Sequence, residues 1–567
     1  MTASSLFRRF ELEDVSSLTN DDVRPCDVKR RTWNLLAFHN YWLLINCTIA
    51  TFFAGSSLIS FGLTWWQAII CIVIGNLLVT VAILVSSVQG THYHIGFPVY
   101  SRAVWGIWGS QFTIWNRIFL SFGKSQNAES RHRYGFQAWV GGQCVYLMIL
   151  SWDPQYESRI PNGIPAETGM TTARFVCYVI FSVISLPFIW LRPHRLQGFF
   201  NVTSAVTFIF FFALLVWALA TMGPAGFGDT IHSSEPGSMP DGTRVPKKLG
   251  WRMVYAVMAT MGSIAAGVLN QSDFARLARR PRDAVIGQAL AYPVYAIYTS
   301  VLGILVVAAT QRRFDGEAIW SLPTLFERLL ERDPGPDTRA AVFFSGLALV
   351  TSQLGSSIPG NAMAGGIDLA SVFPRYLNIR RGAYLTALLS PIFNPWRLVT
   401  TATIFLGVLS CYGIFLAPMT GIMTAFYFFV CRGKLKVEDL YRSEHDGIYW
   451  YWCGVNWRAP IAWIIGVAPC LPGIVAYLTG DQSLPESAME LFSLNYVYGY
   501  LVSGFVFAAL HWLFPARPVD DFVRQPETAS QLQKHYRSLW DEMSSEPSNA
   551  SGIPSFQVKE PPSHGSK

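Results

Sequence analysis

The chain has 567 residues, of which 51% are hydrophobic and only 14% charged, with a mean hydropathy of +0.30. A soluble chain carries about 25% charged residues and a single core stops growing at roughly 250–300 residues, so the apolar excess must face lipid rather than a protein interior. The formal net charge of +7 does not point to nucleic acid, because Lys and Arg fall in short clusters between long apolar runs.

In chain order, residues 1–31 are polar and charged, without a cleavable signal sequence, and read as a tail. A spanning helix takes about 20 mostly apolar residues. Twelve segments are predicted to span: 33–61, 64–88, 105–150, 172–191, 199–222, 253–270, 285–310, 340–362, 384–398, 400–430, 457–478 and 491–514. The third is interrupted by a charged stretch at 123–133, and the ninth is short. Residues 516–567, rich in Ser, Pro, Glu and Gln, read as a second, largely disordered tail with a short helix near 530–543. The expected class is an all-α polytopic membrane protein, its twelve-helix domain covering 32–515.

Basic clusters set the orientation. Arg24, Lys29, Arg30 and Arg31 precede the first span, Arg192 and Arg195 follow the fourth, and Arg276, Arg279, Arg280 and Arg282 follow the sixth. Arg375, Arg380 and Arg381 follow the eighth, and Arg432, Lys434, Lys436 and Arg442 follow the tenth. With alternating helices all of these share one side, so both termini are expected in the cytoplasm. Lys534, Lys559 and Lys567 on the tail are then open to ubiquitin ligase machinery.

The sequence holds no HExxH, GxSxG or Walker loop, so no catalytic residue is assigned and the chain reads as a mover of solutes. Nine scattered cysteines without a CxxC pair read as small buried hydrophobes, and neither metal nor cofactor is expected beyond a coupling ion. Small residues interrupt the first helix at Ala54-Gly55-Ser56-Ser57 and the sixth between Met261 and Gly267. That suits helices unwound at a mid-membrane solute site, and close helix packing explains it equally. Gln137 and Gln143 in the third helix, and Ser352, Gln353, Ser356, Ser357, Pro359, Gly360 and Asn361 in the eighth, are polar at membrane depth. An amide offers donor and acceptor to the edge of a nucleobase-like ring, although interhelical hydrogen bonding accounts for any one of them alone. Asp273 and Asp368, near the arginine clusters, read either as salt bridges with Arg276, Arg375 or Arg380 or as an inner gate.

A series of motifs points further: Arg31-Thr32-Trp33-Asn34, Gly62-Leu63-Thr64-Trp65-Trp66-Gln67-Ala68, Gly96-Phe97-Pro98-Val99, Tyr134-Gly135-Phe136-Gln137-Ala138-Trp139, Leu269-Asn270-Gln271-Ser272-Asp273-Phe274 and Phe373-Pro374-Arg375-Tyr376. Together they resemble the nucleobase-cation-symport-1 family, in particular its fungal uracil/allantoin permease branch, from about residue 31 to 514. The resemblance implies a five-plus-five inverted repeat of the leucine-transporter type, alternating access, and proton-coupled import of uracil, allantoin, uridine or a related ring across the plasma membrane.

Carried over by motif, Gln137 and Asn361 bind the ring edge, Ile264 replaces a second stacking aromatic, and Arg133 stands where the family's stacking Trp belongs. Asp273, Asp368, Ser352 and Ser356 are assigned to coupling and gating. The sodium-site hydroxyl pair of the family's bacterial hydantoin relatives falls at Gly355 and Ser356, so one hydroxyl is missing, which fits proton coupling. The stretch 123–133 is either a genuine insertion or a miscalled exon boundary. Rival readings are a thiamine- or nicotinamide-riboside-type permease of the same family, and a receptor or inactive paralogue that does not transport. A channel has least support, since no ring of charges or repeated filter is present.

Overall fold

The computed structural model describes residue 18 and residues 23–122, 133–165, 168–190, 197–224, 226–227, 242–393, 396, 400–442 and 445–545. Most of the stretch 123–133 lies outside them, and of Arg133 only its place at the start of a helix is described. All regular elements among the described residues are helical, with two isolated bridges and no strand.

The first predicted span is a pair of helices, α1 (Leu35–Asn46) and α2 (Ile49–Ser60), bent by 52°. The break lies at 46–48 and not at 54–57. Thr48 is extended (φ −137°, ψ 159°) and its hydroxyl accepts from the Thr51 N–H at 3.3 Å, which caps α2. Gly55 is helical instead, and the absence of its Cβ lets α2 rest on the Ser300 carbonyl. A capping box between Thr64 and Gln67 then opens α3 (Trp65–Tyr93).

The third predicted span, 105–150, is not one continuous helix. A separate helix, α4 (Phe97–Trp105), ends at its first residue, a turn at Gly106 (φ +92°) leads into α5 (Ser110–Phe122), and α6 (Arg133–Trp152) follows. Next come α7 (Thr172–Trp190) and α8 (Gln197–Ala220). The sixth span is broken within the expected small-residue run: α9 (Leu249–Ser263) and α10 (Ala265–Leu269) meet at Ile264 (φ −115°, ψ 5°). After α11 (Pro281–Thr310) a short amphipathic helix, α12 (Leu322–Arg332), crosses the connection to α13 (Pro336–Ser357). A π-turn over Ile358–Ala362 links α13 to α14 (Met363–Val372). The bundle continues through α15 (Ile379–Leu389), α16 (Ala402–Ala425), α17 (Arg458–Val467) and α18 (Leu471–Thr479), and after a short helix over Glu486–Ser493 through α19 (Asn495–Leu513).

Among the described residues, eight helical runs are long and apolar enough to cross a bilayer alone, and the bent α1–α2 pair makes a ninth. The other three predicted spans are helical but more polar, broken or short: α6 carries Gln137, Gly141, Gly142 and Gln143, the sixth is split, and α15 has 11 residues. Outward-facing side chains such as Leu77, Val81, Val183, Ile209, Leu290, Val294 and Phe505 remain exposed on these helices, where lipid receives them.

Both tails pack on the bundle end that carries the basic clusters. Arg102, itself buried, donates to the carbonyls of Leu18 and Leu440 at 2.9 and 3.0 Å, and the Cys26 N–H donates to the His94 carbonyl at 2.9 Å. The chain continues past the last span as α20 (Arg517–Val523) and α21 (Ala529–Ser545). The Tyr536 hydroxyl accepts from the Val437 N–H at 3.1 Å and donates to Glu438 Oε2 at 2.6 Å. The tail as far as Ser545 is thus mostly docked helix rather than unstructured chain, because Leu532 and Tyr536 find a surface on which to bury. Lys534 is exposed on α21, while Lys559 and Lys567 lie outside the described residues.

Candidate solute-binding site

The two broken helices face one cavity of about 190 Å³. Ile45, Asn46 and Thr48 reach it from the first break, and Ser263, Ile264 and Gly267 from the second. A helix that ends mid-bundle leaves backbone N–H and C=O groups without helical partners, which is how solute-carrying bundles expose polar backbone at membrane depth.

Two amides close the polar side. Asn361 sits in the π-turn between α13 and α14, where the widened helix turns its side chain toward α6, and π-turns recur at functional positions. Its Nδ2 donates to Gln137 Oε1 at 2.9 Å, and Ser356 Oγ donates to the same oxygen at 3.4 Å. The pairing occupies one group of each amide and leaves the Gln137 N–H donors and the Asn361 carbonyl beside the cavity. Aromatic rings form the apolar side: Phe136 and Phe405 stack with centroids 6.0 Å apart and planes inclined by 27°, and Trp42, Tyr41 and Phe274 also line the cavity. Ring faces for a planar solute are therefore present although the expected stacking position holds Arg133.

Arg117 of α5 reaches the inner end of this cavity. Its Nε donates to Asp368 Oδ2 at 2.7 Å, its Nη2 lies 2.7 Å from the same oxygen, and the guanidinium sits 5.0 Å over the Phe97 ring. With its amide turned to satisfy its neighbours, Asn270 accepts from Arg117 Nη1 at 3.2 Å and donates to the Gly267 and Ala266 carbonyls. The expected partners of Asp368, Arg375 and Arg380, are replaced by Arg117, because Asp368 points into the bundle from α14 and is 3% exposed. Sequence reasoning missed Arg117. The available signal was a lone cation within the apolar run from Phe112 to Phe122.

The assigned residues divide accordingly. Gln137, Asn361, Ile264, Ser356 and Asp368 line one cavity. Ser352 is buried in α13 away from it, its hydroxyl without a hydrogen-bond partner. Asp273 also lies outside the lining: its Oδ1 accepts from the Phe97 N–H at 2.8 Å, so the carboxylate sits at the N-terminus of α4, where a helix favours negative charge. At Gly355 there is no room for the missing hydroxyl side chain. A Cβ would stand 2.5 Å from Thr203 Oγ1 and 2.9 Å from Thr203 Cβ. Among the described residues no group of three His, Cys, Asp or Glu could hold a metal ion. Just beyond α3, burial and the nearby charge of Arg31 push His94 down to about 3, and its Nδ1 lies 2.9 Å from the Arg276 carbonyl.

Residues 25–499 match the family model described as permease for cytosine/purines, uracil, thiamine, allantoin. The chain is 32% identical to the allantoin permease of Saccharomyces cerevisiae over 521 residues, covering 90% of this chain and 78% of that one. It is 31% identical to the uracil permease of the same yeast over 516 residues, again covering 90% and 78%. Its fold is similar to that of Mhp1, a nucleobase-cation-symport-1 family transporter, in a closed conformation with bromovinylhydantoin bound. That TM-score is 0.63 at 21% identity, covering 92% of this chain and 100% of the other.

Proposed function

This chain belongs to the nucleobase-cation-symport-1 family of permeases for cytosine/purines, uracil, thiamine and allantoin, and from that premise we propose that it imports a small, uncharged, amide-bearing ring such as uracil or allantoin by proton symport. The observation that carries this reading is the pairing of Gln137 with Asn361 at 2.9 Å inside a cavity between two broken helices. A ring with adjacent C=O and N–H groups takes the remaining Gln137 donor and Asn361 acceptor, while its faces rest against Phe136, Phe405 or Trp42. A cavity of 190 Å³, below the roughly 300–1,000 Å³ of drug-sized pockets, favours a single ring.

In this reading Asp368 and Arg117 close the inner end. Release of solute requires the pair to part, and a proton on Asp368 weakens its hold on Arg117, which ties proton movement to opening. Asp273 steadies the same end by fixing α4. The tight contact of Gly355 with Thr203 supports coupling to protons rather than sodium, since the second hydroxyl ligand has no space. The common side of the basic clusters supports cytoplasmic termini.

The test is uptake of labelled uracil and allantoin by cells lacking their own permeases. Saturable uptake that falls as external pH is raised, disappears with a protonophore and ignores replacement of sodium is expected. Surface-exposed protein that takes up neither solute at any pH overturns the reading.

A further inference from the structure

A second cavity of about 390 Å³ lies on the other side of Phe53 from the central one, at the bundle end opposite the basic clusters. Phe53 is 1% exposed and packs against Phe136, Trp320 and Phe405 at centroid distances of 6.4, 5.1 and 6.1 Å, so an aromatic plug divides the two spaces. Gln143, six positions beyond Gln137 on α6, lines this outer cavity, about 9 Å farther along the helix.

The lining is organised around Arg174. Its Nη1 donates to Gln143 Oε1 at 2.7 Å and its Nη2 to Glu327 Oε2 at 2.9 Å, which holds both side chains in place. Three polar atoms then stay unused: Gln143 Nε2, Glu327 Oε1 and Trp396 Nε1 have no hydrogen-bond partner. Gln143 and Trp396 are each 6% exposed, and buried polar groups are almost always satisfied. Trp139 and Trp396 add aromatic surface, their centroids 5.8 Å apart. The unspent set is two N–H donors and one carboxylate acceptor between aromatic walls, beside Arg174, which pairs with Glu327 at 2.9 Å and lies 3.9 Å from Glu157.

We propose that this outer cavity is a separate capture subsite for a neutral planar ring presenting carbonyl and N–H groups, loaded before the Phe53 plug opens to the central site. The carbonyls meet the N–H groups of Gln143 and Trp396, and the ring N–H meets Glu327. The inference rests on the reading of the chain as a carrier of such rings.

The test is equilibrium binding of labelled uracil and labelled allantoin to the full-length chain in lipid nanodiscs. Two sites per chain are expected for at least one label. Gln143→Leu removes the amide, and Thr324→Trp fills the cavity from an exposed position on α12. Each is expected to leave one site, as is Asn361→Ala, which removes the central one. A wild type with one site, untouched by Gln143→Leu and Thr324→Trp, overturns the subsite and leaves the transport reading standing. Two sites in Thr324→Trp with loss only in Gln143→Leu also overturns it, because the amide then acts on folding. Loss of one site in both outer variants but none in Asn361→Ala keeps the subsite and rejects the central assignment. No binding of either label by the wild type rejects both.

Discussion

The guanidinium of Arg117 and the carboxylate of Asp368 meet at 2.7 Å, each side chain 4% exposed, although 251 positions separate them in the chain. Removing either partner of a buried pair strands the other charge at a cost of about 3–5 kcal/mol, whereas removing both relieves the penalty. Asp368→Ala and Arg117→Ala are each expected to lower the unfolding temperature sharply, and the double variant to recover much of the loss. Additive losses in a double-mutant cycle by thermal unfolding argue against a coupled pair.

Gln137 and Asn361 act as one unit through their shared hydrogen bond. Truncating either leaves the other's amide unsatisfied beside the solute, worth about 1–3 kcal/mol, so uptake is expected to drop by roughly five- to 150-fold in Gln137→Ala and in Asn361→Ala with surface expression retained. The double variant is expected to be little worse than the poorer single one. Normal uptake by both single variants, measured with labelled uracil and allantoin, rejects the assignment.

Replacing residues 123–133 by a single Trp places an aromatic ring directly before Tyr134. One added aromatic contact is worth about 0.5–1.5 kcal/mol, so the expected result is a KM lowered roughly two- to tenfold, read from uptake kinetics. An unchanged KM shows that Phe136, Phe405 and Trp42 already serve the ring.

His94 supplies a pH dependence whose sign follows from its burial. In the folded chain it is held down to about 3, while in the unfolded chain it titrates near 6.5. Between those values the unfolded state binds the extra proton, so stability falls as pH drops below about 6.5, by up to about 1.4 kcal/mol per pH unit. The unfolding temperature of the purified chain is expected to decline over that interval, and His94→Gln to flatten the decline. Equal slopes in the two proteins exclude His94 as the source.

The amides were legible in the sequence because a Gln or an Asn inside an apolar helix stands out against its neighbours, whereas the π-turn over Ile358–Ala362 that carries Asn361 was not expected. The sixth-helix break was legible too, since Gly262 and Gly267 flank it. The first break was not. Gly55 carries the composition of a hinge but serves helix contact with Ser300, while the actual break uses Thr48 as a cap, a local hydrogen bond that small-residue counting does not weigh. Partners of the acids were misjudged for a different reason. Proximity along the chain favoured Arg375 and Arg380, and only the folded bundle brings α5 against α14 and so Arg117 to Asp368. The outer network of Arg174, Gln143 and Glu327 likewise joins three separate helices.

The glycines of the two broken helices also bear on motion. Gly55 lies against the Ser300 carbonyl and Gly262 against the Leu409 carbonyl, backbone on backbone, with no side chain interposed from the glycine. Surfaces of that kind behave as plain bearings: one helix travels over the next without withdrawing a knob from a hole. At these two points backbone contour sets the contact, and a single methyl at either glycine would act as a brake long before it touched the solute.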